Sequence, residues 1–390
     1  MKEPKIRFKG FSGEWKELPF SEIVERTSST GKTGSLPGIE FEDIVSGEGC
    51  LNKDVYQKDC RKYGKIFREG DILFGKLRPY LKNILLAEFR GIAIGDFWIL
   101  RPGDNDSKFI YNLVNSEAFM RVANVSSGSK MPRADWNLVS STNFLLPQDK
   151  IEQEAIGKYF TSLDTQISAS TSRLASLKQM KAASLQAMFP QEGETVPKVR
   201  FKGFEGEWKN VKFGILLKEC TDKSTSEDED ILLSSAINGV FLNSELFGHQ
   251  RGRSNIGYRK VRRNMLILSA QNLHLGNANV NLRFEHGLVS PAYKIYDLYN
   301  VLPEFMYHWI KREETKKFFL DATTAGASLC RKNIVWTDLY KQNILLPKSD
   351  TEQQSIASFF TSLDRQIALH TQRLEKLKQI KAACLDKMFV

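Results

Sequence analysis

The sequence predicts an α/β (α+β) chain: two globular mixed α/β domains, separated by two long helices that pair as an antiparallel intramolecular coiled coil with a pseudo-twofold internal repeat. Three observations predict it. First, Pro4-Lys-Ile-Arg-Phe-Lys-Gly-Phe-Ser-Gly-Glu-Trp-Lys16 returns halfway along as Pro197-Lys-Val-Arg-Phe-Lys-Gly-Phe-Glu-Gly-Glu-Trp-Lys209. Second, the block 143–190 returns as 343–390, with Phe160-Thr-Ser-Leu-Asp164 matching Phe360-Thr-Ser-Leu-Asp364 and Lys181-Ala-Ala183 matching Lys381-Ala-Ala383. Third, the stretches between, 21–142 and 214–342, share only a faint pattern. Each half is therefore one near-identical frame around one divergent insert, the mark of a duplication. A length of 390 residues suits two or three domains, and 41% hydrophobic with 26% charged residues suits soluble domains with sizeable cores.

Taken in order, the first insert has strand-like runs at Asp71-Ile-Leu-Phe74, Ile92-Ala-Ile94 and Phe97-Trp-Ile-Leu100. A helical stretch follows at 108–123, and the insert closes with the glycine-containing loop Ser127-Gly-Ser-Lys-Met-Pro-Arg133. Leu145-Leu-Pro147 ends a strand, and Asp149-x-x-Glu152 fits a capping box that opens a helix. Apolar residues then fall at Ile156, Phe160, Leu163, Ile167, Leu174 and Leu177. These steps of four and three are the period of a coiled-coil seam, in which Ser170 and Lys181 are polar interruptions. Pro190 and the Glu192-Gly-Glu-Thr stretch end that helix. The second half repeats the order: strands at Asn264-Met-Leu-Ile-Leu-Ser269 and Tyr293-Lys-Ile-Tyr296, a helical stretch at 303–320, and the loop Ala325-Gly-Ala-Ser-Leu-Cys-Arg331. Ser349-x-x-Glu352 then opens a seam of Ile356, Phe360, Leu363, Ile367, Leu374 and Leu377, with His370 and Lys381 as its polar members. The boundaries expected are 1–148 and 191–348 for the globular domains, with 149–190 and 349–390 for the helices. At 1.5 Å per residue, a helix of about 40 residues is a rod of roughly 60 Å. A pseudo-twofold axis would make the two rods antiparallel and put the inserts at opposite ends.

Composition narrows the function. No run reaches the ~18–20 apolar residues of a membrane span, and Met1 to Arg7 lacks the apolar region of a signal peptide, so a cytoplasmic protein is expected. The cysteines, 5 in number, form no CxxC pair, and the histidines, also 5, have no metal-ligand spacing with them. Gly31-Lys32-Thr33 imitates the end of a phosphate-binding loop, but Arg26 stands where its first glycine is required. Glu14-Trp-Lys16 and Glu207-Trp-Lys209 imitate the end of a nuclease metal site, yet both belong to the repeated frame, where the tryptophan reads as a core anchor. No catalytic residue, metal ligand or cofactor site is expected in this chain.

The net charge of +10 favours a polyanionic partner, and the cations cluster within the inserts. In the first, Lys62 and Lys65 precede Lys76, Arg78 and Lys82, with Tyr80 among them. The second has Arg251, Arg253, Arg259, Lys260, Arg262 and Arg263 with no acidic residue among them. Gln271, Asn272, His274, Asn277, Asn279 and Asn281 follow, and Asn or Gln can pair with adenine as Arg does with guanine. The glycine loops add Ser129, Lys130 and Arg133 in the first half, and Arg331 and Lys332 in the second. These are the candidate DNA-binding residues; different side chains at matching places would read different bases.

With these motifs in view, the whole chain resembles a specificity subunit of a Type I restriction–modification enzyme. The residues that carry the resemblance are the paired segments Leu145 to Ile167 and Leu345 to Ile367, each running into a long helix, and Asp71-Ile-Leu-Phe before Lys76-x-Arg78-Pro79. The second insert has Asn264-Met-Leu-Ile there and lacks the Arg-Pro. The resemblance implies that each insert is a target-recognition domain for one half of a bipartite, asymmetric DNA site. It implies that the coiled coil sets the unread spacer and scaffolds two modification (methyltransferase) subunits, which bind S-adenosylmethionine, and restriction subunits driven by ATP and Mg²⁺. The alternatives are a coiled-coil adaptor that binds DNA without sequence preference and a self-sufficient DNA methyltransferase or nuclease, the latter short of every motif it needs.

Overall fold

The computed structural model describes residues 3–34, 36–58, 62–125, 131–247, 254–324 and 332–389. The chain divides into two compact units: Met1–Ser172 with Thr371–Val390, and Arg173–His370. Each unit thus includes a helical segment from the other half of the sequence, from Thr371 onward in the first and from Arg173 in the second.

In the first unit the frame closes on itself. Lys16–Pro19 pairs antiparallel with Asn143–Leu146, so the strand before the insert is joined to the strand after it. Trp15, at 2% exposure, anchors this joint in the core with Phe20, Phe109, Phe144 and Phe160. The insert itself carries a four-stranded antiparallel sheet in the order Glu25–Thr27, Phe97–Arg101, Ile72–Gly75, Ile84–Leu86. A second sheet runs Thr30–Lys32, Tyr63–Phe67, Gly91–Ala93, Gly38–Ile39. Lys32 of the Gly31-Lys32-Thr33 run is therefore a strand residue opposite Tyr63, not part of a phosphate loop.

The second unit repeats this plan. Lys209–Lys212 pairs with Asn343–Leu346, and Trp208 is buried beside Phe189 and Phe305. Its four-stranded sheet is Leu217–Cys220, Tyr293–Leu298, Leu266–Ser269, Ala278–Val280, again antiparallel throughout. Inserts with only a faint common pattern in sequence share one sheet, strand for strand. They differ beyond it, where the second has two separate strand pairs, Leu233–Ala236 with Gly239–Leu242 and Arg259–Arg262 with His286–Val289.

The predicted helices form with two corrections. The stretch 108–123 is two helices, Ser107–Asn115 and Glu117–Ala123, because Ser116 is extended (φ −68°, ψ 155°) and its hydroxyl accepts from the Phe119 amide at 3.3 Å. The stretch 303–320 likewise breaks into Pro303–Ile310 and Glu313–Leu320 at the extended Arg312. The long helices run Lys150–Ala187 and Asp350–Met388. Asp149 and Ser349 cap them, accepting from the amides of Ile151 (2.8 Å) and Thr351 (3.1 Å). The other half of the expected capping box is absent. Glu152 instead receives Arg7 in a fork, Nε to Oε1 and Nη2 to Oε2 at 2.7 Å each, with Trp15 Nε1 at 3.4 Å. Glu352 holds Arg200 and Trp208 in the same way. A buried carboxylate is better satisfied by a guanidinium than by one backbone amide, and the fork ties the frame's first segment to its helix.

Helix pairing is antiparallel within each unit. In the first, Tyr159 Oη lies 3.5 Å from Cys384 Sγ, and Lys381 reaches Asp164 at 2.5 Å. Ile156, Phe160 and Leu163 share a core there with Leu377, Met388 and Phe389. In the second, Lys181 reaches Asp364 at 2.5 Å, and Ile356, Phe360 and Leu363 share a core with Leu177, Met188 and Phe189. The lysines that interrupt the seam are thus each matched by an aspartate of the opposite helix. Leu174 and Leu374 are each 8% exposed, Ile167 and Ile367 are partly buried, and Ser170 is buried.

Candidate nucleic-acid interface

In the first unit the site is built on the hairpin between Ile72–Gly75 and Ile84–Leu86. Its loop contains a short turn, Pro79–Leu81, bracketed by Arg78 (φ 51°) and Lys82 (φ 50°), both in the left-handed region that L residues avoid. The loop is held by the segment that follows the glycine loop. Arg78 N donates to Pro132 O at 2.8 Å, Ala134 N donates to Lys76 O at 2.9 Å, and Leu77 bridges Arg133. Residues far apart in sequence, Lys76 and Arg133, are thereby brought to one carboxylate, Asp96, at 3.4 and 3.1 Å. Burial pushes the Asp96 carboxyl up, but Arg133 and Lys76 together outweigh it and hold it below the usual carboxylate range. Arg78 and Tyr80 stand exposed beside this cluster.

Other candidates of the first unit are occupied within the fold. Lys65 donates to Phe97 O at 2.5 Å; burial first, then Lys76 and Arg26, lower its pKa. Lys62 pairs with Glu40 at 2.5 Å, and Lys82 reaches Asn115 O at 3.2 Å and Glu117 at 3.4 Å. Ser129 and Lys130 lie outside the described residues.

The second unit builds the same hairpin between Leu266–Ser269 and Ala278–Val280, with a short turn at Leu273–Leu275. Its loop presents Gln271 and Asn272 to solvent. The asparagines that follow do not face outward, which corrects the expectation for Asn277, Asn279 and Asn281. Asn277 Oδ1 accepts from Ser235 Oγ at 3.2 Å, and Asn279 binds Ser235 Oγ, Ala236 O and Lys311 Nζ at 2.6–2.7 Å. Asn281 donates to Arg262 O and Phe284 O. His274 is also buried, at 8% exposure. The alternating pattern Asn277-x-Asn279-x-Asn281 is the inward face of a strand and its ends, filled by side chains that satisfy loop carbonyls.

The cation run is likewise neutralised, since carboxylates arrive from other strands. Lys260 pairs with Glu229, Arg262 reaches Asp297 at 3.5 Å, and Arg263 pairs with Glu285. Arg259 donates to Thr221 O at 3.3 Å. Lys332 is half-buried, while Arg251, Arg253 and Arg331 lie outside the described residues.

Two features escaped the sequence reading. Asp96 is one. The other is a cation over a tryptophan in each unit: Arg26 lies 4.5 Å from the Trp136 ring centre and Lys294 lies 4.6 Å from that of Trp336. Each tryptophan opens the short helix after its glycine loop, and this repetition before Leu145 and Leu345 was the available signal. Among the described residues no group of three His, Cys, Asp or Glu side chains could hold a metal ion, and no helix is long and apolar enough to cross a membrane.

Residues 291–379 match the family model for the Type I restriction modification DNA specificity domain. No curated protein matches the chain. Among solved structures, the fold is similar to that of the Type I restriction–modification S subunit from M. genitalium, with TM-score 0.60 at 14% identity over 100% of this chain and 99% of that one. It is also similar to a chain from a study of complex assembly and conformational transition of the type I R-M system, with TM-score 0.50 at 18% identity over 96% of this chain and 97% of that one. The matched segment runs from the Tyr293–Leu298 strand, within the second insert, into the second long helix, so only its part from 343 onward lies in the frame that the first half repeats. The segment 291–379 is thus similar to a Type I restriction modification DNA specificity domain, and over its whole length the chain shares the fold of a Type I restriction–modification S subunit.

Proposed function

We propose that each unit reads one half of a bipartite, asymmetric DNA site, through the hairpin loop of its four-stranded sheet. The observation that carries this is one backbone frame with different side chains at matching places. Gly75 N donates to Asn83 O as Ser269 N does to Asn277 O, and Lys76 N donates to Asp96 O as Ala270 N does to Ala292 O. On that shared frame, Arg78 and Tyr80 of the first loop stand where the second has Asn272 and His274. Arginine favours guanine and asparagine favours adenine, so two such loops read unlike half-sites. Free cations on Lys and Arg would add phosphate contacts that set register without carrying sequence.

In this reading the two long helices set the unread gap and scaffold two modification subunits that bring S-adenosylmethionine, with restriction subunits bringing ATP and Mg²⁺. The chain's own residues bind and orient DNA; the partners do the chemistry. The test is a genome-wide map of methylated adenines in cells with a matching modification subunit, with and without this gene. A gene-dependent motif of two short half-sites around a fixed gap is expected. An assembled complex that yields no motif would overturn the reading and favour an adaptor that binds DNA without sequence preference.

A further inference from the structure

A carboxylate on a DNA-facing surface repels phosphates, so Asp96 requires an explanation. Its neighbourhood is densely cationic: Lys76 and Arg133 touch it, and Lys65 lies close enough to feel Lys76, Arg26 and Asp96 electrostatically. The fold does not need it. At the same place in the second unit stands Ala292, opposite Ala270, and the backbone bond between them is 3.0 Å against 2.9 Å for Lys76 to Asp96. Two alanines build this strand junction as well as the ion pair does. What Asp96 adds is therefore a matter of side chains: it pins one cation from each of two loops that meet only in the folded unit.

We propose that Asp96 is a positioning residue for the half-site read by the first unit, holding Lys76 and Arg133 in fixed directions beside the strained Arg78. This rests on the reading of that loop as the DNA reader. Asp96 gives up some attraction for DNA in exchange for discrimination, because cations released from it would follow phosphates of any sequence. The second unit, with alanines there, reads through neutral Gln271 and Asn272 and needs no such anchor.

The test uses the full chain and its Asp96→Asn, Asp96→Ala and Asp96→Glu variants. Each is titrated at fixed salt with a duplex carrying the mapped site, with duplexes scrambled in either half-site, and with a random duplex. Asp96→Asn and Asp96→Ala are expected to lower the preference for one intact half-site about tenfold, within the range of a lost base-reading contact. The other half-site preference stays within about twofold, and affinity for the random duplex rises as a negative charge is removed. Asp96→Glu restores part of the preference. Unchanged preference would overturn the proposal, as would equal loss at both half-sites with a lowered melting temperature, which marks a purely structural role. Wild-type protein with no preference for its site over random DNA would instead sink the reading of the chain as a sequence reader.

Discussion

At the scale of single residues, buried charge and buried polarity are resolved by different means. Arg7 with Glu152 and Arg200 with Glu352 are forked pairs whose carboxylates are only 2% exposed, and removing either arginine would strand a buried charge. His308 is handled by staying neutral. It is 1% exposed, with Nε2 3.3 Å from Thr361 Oγ1 and Nδ1 4.0 Å from Asp364, whose carboxylate is already paired with Lys181. Burial, and then Lys181, push its pKa down to about 3 from 6.5. The unfolded chain therefore takes up a proton near pH 6.5 that the folded chain refuses until about pH 3. Stability is full above that window and is lost as pH falls through it, by about 2 kcal/mol at pH 5. Asn112 occupies the matching helix position of the first unit, so His308→Asn is expected to keep the fold. Its melting temperature should fall less than wild type between pH 7.5 and 5; equal falls would clear His308 of the effect.

At the scale of elements, the two hairpin loops and the two long helices show what repetition constrains. The loops keep their backbone and exchange their side chains. The helices keep both, since Lys181 must meet Asp364 and Lys381 must meet Asp164. A helix with a 3.5-residue seam tolerates added length only in whole heptads. Inserting seven residues beside Leu174 and beside Leu374 together should leave melting nearly unchanged. About 10 Å of added helix is expected to widen the methylation gap by roughly three base pairs. A gap that does not move would show that helix length is not the ruler.

At the scale of the whole molecule, each unit is completed by chain from the other half. Phe389, buried, lies 5.2 Å from Phe109 and 6.1 Å from Phe160 by ring centres, and Leu377 and Met388 fill the same core. Truncation after His370 should therefore unfold the first unit, although the cut lies at the far end of the sequence. Calorimetry would show one transition lost and the other retained, with proteolysis falling within 3–172. Loss of the second unit instead would contradict the division of the core.

The repeats, the long amphipathic helices, the central strands of each insert and the family resemblance were all legible in the sequence, because each depends on residues close together in the chain or on plain recurrence. Periodicity placed Ile156, Phe160 and Leu163 on a buried face, and the tryptophans of the frame in the core. What only the tertiary structure decided is which polar groups remain available. Lys260, Arg262 and Arg263 read as a bare cationic run until Glu229, Asp297 and Glu285 reach them from other strands. Asn277 and Asn279 read as base contacts until Ser235 closes over them, and Glu152 reads as half of a cap until Arg7 arrives. Ion pairing and burial are relations between residues far apart in the chain. A local pattern can show what a side chain is able to do, but its partner in the fold determines what it is left free to do.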